Sequence, residues 1–172
     1  MTTVPMDSEK LKDMRFDVAG VDTVARDVLV MIPYTFPRRT EITVATDEFS
    51  AVCPWSGLPD YAKLTVRYLP GDRYVELKSF KYYVTSFRNV GIFQEDATNV
   101  ILEHLVEALD PLFIEVHLDY NIRGGFHTLT RAQHCRADLP DGMDLGGSQP
   151  VVSDTPIDWA AWHQERGERE GT

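Results

Sequence analysis

Two stretches of strict alternation bracket two helical stripes, and that order constrains this 172-residue chain more than any other feature. Ala62, Leu64, Val66 and Tyr68 alternate with Lys63, Thr65 and Arg67. Further on, Ile114, Val116, Leu118 and Tyr120 alternate with Glu115, His117 and Asp119. A period of two belongs to a strand with one face buried and the other wet. Between these stretches, Leu77, Phe80, Tyr83, Val84 and Phe87 recur mostly three or four apart. A second set, Ile101, Leu102, Leu105, Val106 and Leu109, does the same. That is the stripe of an amphipathic helix. A short strand over 40–46, with Ile42 and Val44 on one side, precedes the first alternation. A last strand over about 126–131 follows the second.

The boundaries carry their own signals. Pro70-Gly71-Asp72 ends a strand as a turn. Arg88-Asn89-Val90-Gly91 stops the first helix, and Gly91 suits a left-handed cap. The second helix spans Glu95 to Leu109 and ends at Asp110-Pro111, and Arg123-Gly124-Gly125 turns the chain into the last strand. The order strand, strand, helix, helix, strand, strand predicts an α+β fold: an antiparallel sheet with two helices on one face. Its open edges invite pairing with another copy, so a homo-oligomer is expected.

Residues 1–25 are polar and weakly patterned and read as an N-terminal arm or peripheral cover. The patterned domain occupies 26–136. Residues 137–172 form an acidic C-terminal tail rich in Asp, Gly and Pro, with a short helix expected near Trp159 and Trp162. The 27 acidic against 17 basic residues leave a net charge of −10. That disfavours nucleic acid as a direct partner, because such binding neutralises phosphates with Lys and Arg. No apolar run reaches the roughly 18 residues of a membrane helix, and the polar N-terminus has no signal-peptide core. A cytoplasmic location follows as the default, with Cys53 and Cys135 as free thiols.

Chemistry concentrates in three places. The run Cys53-Pro54-Trp55-Ser56-Gly57-Leu58-Pro59-Asp60 sets a thiol on a Pro/Gly-rich turn with a carboxylate seven residues on. Cysteine needs less activation than serine, and an aspartate nearby can handle its proton. The plainer alternative is a small buried hydrophobe beside a turn. In the first helix Lys78 and Lys81 project from nearly one side and can hold phosphate, or they simply face solvent. Glu76 stands at the first turn, where the helix dipole favours a carboxylate. In 87–96, Phe93 can stack on a heterocycle and Glu95 can accept from ring N–H donors, while Asp96 reads as an N-terminal acid or cap. No metal centre is expected: Cys53, His134 and Cys135 lack zinc-ligand spacing. A glycine-rich dinucleotide fingerprint and a P-loop are both missing.

Taken together, these motifs resemble the NADPH-dependent 7-cyano-7-deazaguanine (preQ0) reductases in their short, one-module form. The matching segments are Cys53-Pro54 with Gly57-Leu58-Pro59-Asp60, then Glu76-Leu77-Lys78-Ser79-Phe80-Lys81, then residues 87–96, then Arg123-Gly124-Gly125. The resemblance implies the tunnelling fold, in which ββααββ units assemble as stacked rings with sites between subunits. It implies reduction of a nitrile to an amine with two NADPH, in queuosine biosynthesis. Cys53 would form a thioimide and Asp60 would move protons. Glu76, Ser79, Phe93, Gln94 and Glu95 would hold the base, and Lys78, Lys81 and Arg123 the cofactor phosphates. Many relatives carry His where this chain has Gln94, and an amide cannot shuttle a proton near neutrality. Leu77 likewise replaces a Ser. Two other activities of the fold compete: amidine formation on the same nitrile within tRNA, and a zinc-dependent cyclohydrolase reaction. The lysine pair and the charge of −10 disfavour the first, and the ligand spacing disfavours the second.

Overall fold

The structure, a computed structural model, describes residues 16–38 and 40–136. A four-stranded antiparallel sheet is its frame. It contains β2 (Ile42–Val52), β3 (Pro59–Leu69), β5 (Phe113–Tyr120) and β6 (Leu129–Cys135), in the order β2-β3-β5-β6. Helix α1 (Leu77–Thr85) runs into a 3₁₀ turn at Ser86–Asn89, and helix α2 (Gln94–Leu109) follows. Leu64, Val66 and Tyr68 of β3, with Ile114, Val116, Leu118 and Tyr120 of β5, form one core with Phe80, Tyr83 and Phe87 and with Ala97, Ile101, Leu105 and Leu109. Both helices therefore cover the same sheet face, as the alternation predicts. On the opposite face Arg67 pairs with Glu41 (3.2 Å) and approaches Glu115 (3.9 Å), which Arg131 reaches from β6 (3.7 Å).

Several expectations need correction. β2 is 11 residues long rather than the short strand over 40–46. A bulge between Thr46 and Phe49 shifts the register, so β2 advances three residues while β3 advances two. One extra residue reverses which side chains point inward. Ile42 and Val44 face the core before the bulge, and Phe49 and Ala51 after it. A second small sheet was not foreseen: β1 (Met31–Pro33) pairs with β4 (Arg73–Val75). Each strand is three residues long, too short to display a period. Leu77 opens the helical stripe but is 60% exposed, so burial in α1 starts at Ser79 and Phe80.

Gly91 is not a left-handed cap. The left-handed residue at a helix end is Asp110 (φ 44°), after α2. Gly91 instead lies in extended bridging with Val52, and its N–H donates to the Ala19 carbonyl (2.9 Å). A Cβ there would stand 2.7 Å from Val18 Cγ2, so glycine serves close approach rather than a positive φ. The last strand begins at Leu129 and reaches Cys135, because Arg123 and Phe126 close a turn upon each other first.

From the N-terminal arm, residues 16–25 carry a parallel bridge between Ala19 and Val90. The expected tail and its short helix lie outside the described residues.

Candidate active site

The loop between β2 and β3 carries Cys53. Its N–H donates to the Leu58 carbonyl (2.9 Å), and its own carbonyl accepts from the Gly57 N–H (2.8 Å). Gly57 has φ 67°, and a Cβ on it would meet the Phe16 carbonyl at 2.9 Å, so no other residue fits without strain. The curled loop aims N–H groups at the sulfur. Burial raises the thiol's pKa. Hydrogen bonds from the Ser56 N–H and hydroxyl, the Trp55 N–H and the Arg123 side chain more than offset that, and bring it from 9.0 to about 7. A substantial thiolate fraction at neutral pH follows, and the thiolate is the nucleophile.

Asp60 is the second residue of β3 and points into the core side of the sheet at its end, 6% exposed. Burial pushes its carboxyl above the ordinary value, against the opposing charge of Arg123 and a hydrogen bond donated by the Gln94 side chain. The Arg123 guanidinium lies 2.7 Å from Asp60 Oδ1. A thiol drawn down and a carboxyl pushed up come closer in proton affinity than free Cys and Asp, which eases transfer between them.

A cavity of about 300 Å³ joins these groups to Ile92, Phe93, Gln94 and Glu95, with Asn121, Phe126 and Thr128 on the far wall. Two backbone devices build it. Val52 donates to the Val90 carbonyl and accepts from the Ile92 N–H, which lays the entry to α2 against the cysteine loop. Opposite, Gly124 (φ 59°) and Gly125 (φ 84°) supply the paired positive dihedrals of a primed hairpin turn. Arg123 and Phe126 exchange both backbone hydrogen bonds across it (3.0 Å each). Directly opposed residues share a face, and both side chains line the cavity.

The structure thus gathers Cys53, Asp60, Phe93, Gln94, Glu95 and Arg123 into one pocket. It leaves Glu76, Lys78, Ser79 and Lys81 elsewhere. Both carboxylate oxygens of Glu76 cap α1, accepting from the N–H groups of Lys78 (2.9 Å) and Ser79 (2.7 Å). The Ser79 hydroxyl donates to the Glu76 carbonyl (2.7 Å) and accepts from the Val30 N–H (3.0 Å). Lys78 and Lys81 are exposed on α1, and Lys81 lines a separate groove with Val44, Thr46 and Phe80. Asp60 sits at the start of the 11-residue β3, whereas Glu76 comes after its far end. None of the four lines the Cys53 cavity. Arg123, expected at cofactor phosphate, is in contact with Asp60. Sequence reasoning missed Ser56, Asn121, Phe126 and Thr128. Only Ser56 had a local signal, its place within the cysteine turn. Among the described residues no group of three His, Cys, Asp or Glu side chains could hold a metal ion, and no helix is long and apolar enough to cross a membrane.

A ββααββ sheet presenting a cysteine and a buried aspartate at one end defines a tunnelling-fold protein with a cysteine-centred site. Residues 59–138 match the model of the family described as QueF-like protein. The NADPH-dependent 7-cyano-7-deazaguanine reductase of Caldicellulosiruptor bescii is 51% identical over 128 residues, covering 74% of this chain and 98% of the relative. The protein of the same name from Thermotoga maritima is 50% identical over 117 residues, covering 67% and 85%. The chain belongs to this family, the QueF-like 7-cyano-7-deazaguanine reductases. A solved structure, the archaeosine synthase QueF-Like in its apo form, aligns with a TM-score of 0.50 at 23% identity. It covers 58% of this chain and 95% of its own, and the likeness concerns the fold alone.

Proposed function

We propose that this chain reduces the nitrile of 7-cyano-7-deazaguanine to 7-aminomethyl-7-deazaguanine with two NADPH, supplying the modified base for queuosine. The observation that carries this reading is the pairing of a thiol brought to about 7 with a buried Asp60 in one cavity, in a chain half identical to reductases of that name. The Cys53 sulfur adds to the nitrile carbon, and its proton passes through Asp60 to the nitrile nitrogen, leaving a thioimide. When bound, NADPH supplies one hydride to the thioimide carbon and, after the thiol leaves with its proton, a second to the remaining imine. Asp60 returns a proton to nitrogen at each reduction. Phe93 lies at the rim to stack on the base, and Glu95 at the start of α2 accepts from its N–H groups.

The donor set suits a phosphorylated cofactor: two exposed lysines one turn apart on α1 make a cationic patch. Because neither lysine lines the Cys53 cavity of its own copy, the lysines serve the cavity of a neighbouring subunit. The edges of β2 and β6 are where copies pair into rings. Glu76 and Ser79 then contribute to the base site through the same arrangement. The substrate is a free base, so the protein needs no contact with tRNA, and it works in the cytoplasm.

The decisive experiment is NADPH oxidation with 7-cyano-7-deazaguanine, with mass detection of the amine. Amine formation with two NADPH consumed per nitrile is the expected result. Release of ligand unchanged, with no oxidation, overturns the reading.

A further inference from the structure

We propose that Arg123 is a positioning residue that holds the Asp60 carboxylate beside Cys53, ready to take the thiol proton, before any ligand arrives. The proposal rests on the reading of Cys53 as nucleophile, and it goes beyond a role for Arg123 in holding cofactor. The geometry is specific. One guanidinium nitrogen is 2.7 Å from Asp60 Oδ1, and the same side chain lines the cavity that holds the Cys53 sulfur. The cation that fixes Asp60 therefore shares one cavity with the thiol whose proton Asp60 takes.

The placement follows from the turn. Gly124 and Gly125 have nothing within 4 Å of where a Cβ would stand, so no packing demands glycine there. Their positive dihedrals alone explain them. The tight turn fixes Arg123 opposite Phe126 through two backbone hydrogen bonds, and only the long side chain remains to reach inward.

The charges facing the pair are few. Asp60 comes from β3, Glu95 from α2 and Arg123 from the hairpin tip. The phenol of Tyr120, at the end of β5, is pushed up by burial and by the Asp60 and Glu95 charges. Among the described residues, no lysine or histidine lines the cavity. Two carboxylates and a thiolate would repel one another, and Arg123 is the cation of the cavity wall that offsets them. Its half exposure weakens the effect by solvent screening without removing it.

The test is the pH dependence of Cys53 alkylation by iodoacetamide in the ligand-free full chain. A Cys135→Ser background leaves Cys53 as the single thiol. The parent midpoint is expected near 7. Arg123→Gln should raise it by about one pH unit, the usual reach of a nearby opposite charge. Arg123→Lys should restore most of the difference. Asp60→Asn should move the midpoint down, because the cation then faces the sulfur alone. An unchanged midpoint in Arg123→Gln, or an upward one in Asp60→Asn, overturns the proposal. The readout needs neither substrate nor cofactor. A chain lacking nitrile reduction would still show the Arg123 effect, so the two failures are distinguishable.

Discussion

Val52 lies beside Gly91 in a parallel bridge, donating to the Val90 carbonyl at 3.0 Å and accepting from the Ile92 N–H at 3.1 Å. This contact ties the loop bearing the thiol to the segment bearing Phe93, Gln94 and Glu95. Each belongs to a different part of the chain, and the bridge sets the width of the cavity between them.

Gly91→Ala tests that role. The added Cβ would fall 2.7 Å from Val18 Cγ2 and 3.6 Å from Pro54 Cα, beside Cys53. Overpacking of this kind costs about 1–3 kcal/mol. The variant should melt several degrees lower and turn over more slowly, as read by thermal denaturation and by kcat. Parent values for both would show that the segment moves aside freely.

Mixing the protein with 7-cyano-7-deazaguanine and no cofactor should give a covalent adduct on Cys53 by intact mass. Its rate should rise with pH and level off above about 7, since only the thiolate adds and its pKa lies there. Cys53→Ala should form none. If the ligand binds and no adduct appears, covalent catalysis is wrong. A rate still climbing toward pH 9.0, the ordinary thiol value, would mean that the loop does not activate the sulfur.

Lys78→Ala combined with Lys81→Ala should raise the KM for NADPH roughly tenfold or more and leave the nitrile KM nearly unchanged. Charge-assisted contacts to phosphate contribute about 1.5–3 kcal/mol each. Both lysines are exposed, so the double variant should keep its melting temperature. An unaltered cofactor KM would remove these residues from the phosphate site.

Gln94→His should keep or raise activity, because an imidazole N–H can replace the amide donor to Asp60. Gln94→Leu should lower kcat/KM about tenfold, about 1.4 kcal/mol in the barrier, by leaving Asp60 short of a donor. Steady-state kinetics on the two variants separates the cases. A collapse in the histidine variant would give the amide a task of its own.

Much of the frame was legible in local order. The alternation in β3 and β5 and the stripes in α1 and α2 survive in the structure, because each is a short-range consequence of burying one face. The cysteine turn and the 87–96 segment, each marked by the chemistry of adjacent residues, meet at one cavity. The bulge in β2 was hidden because Thr46, Asp47 and Glu48 interrupt the apolar pattern just where its phase reverses.

By itself, the sequence determined the element order, the buried faces and the residue types able to do covalent chemistry. Tertiary structure alone decided that Arg123 pairs with Asp60 across 63 positions of chain, that Gly91 serves close approach, and that Lys78 and Lys81 lie outside the cavity of the thiol of their own copy. The reason is physical. Periodicity depends on near neighbours, whereas the partner of a buried charge depends on strand register and turn geometry, which bring distant residues together only once the sheet is formed.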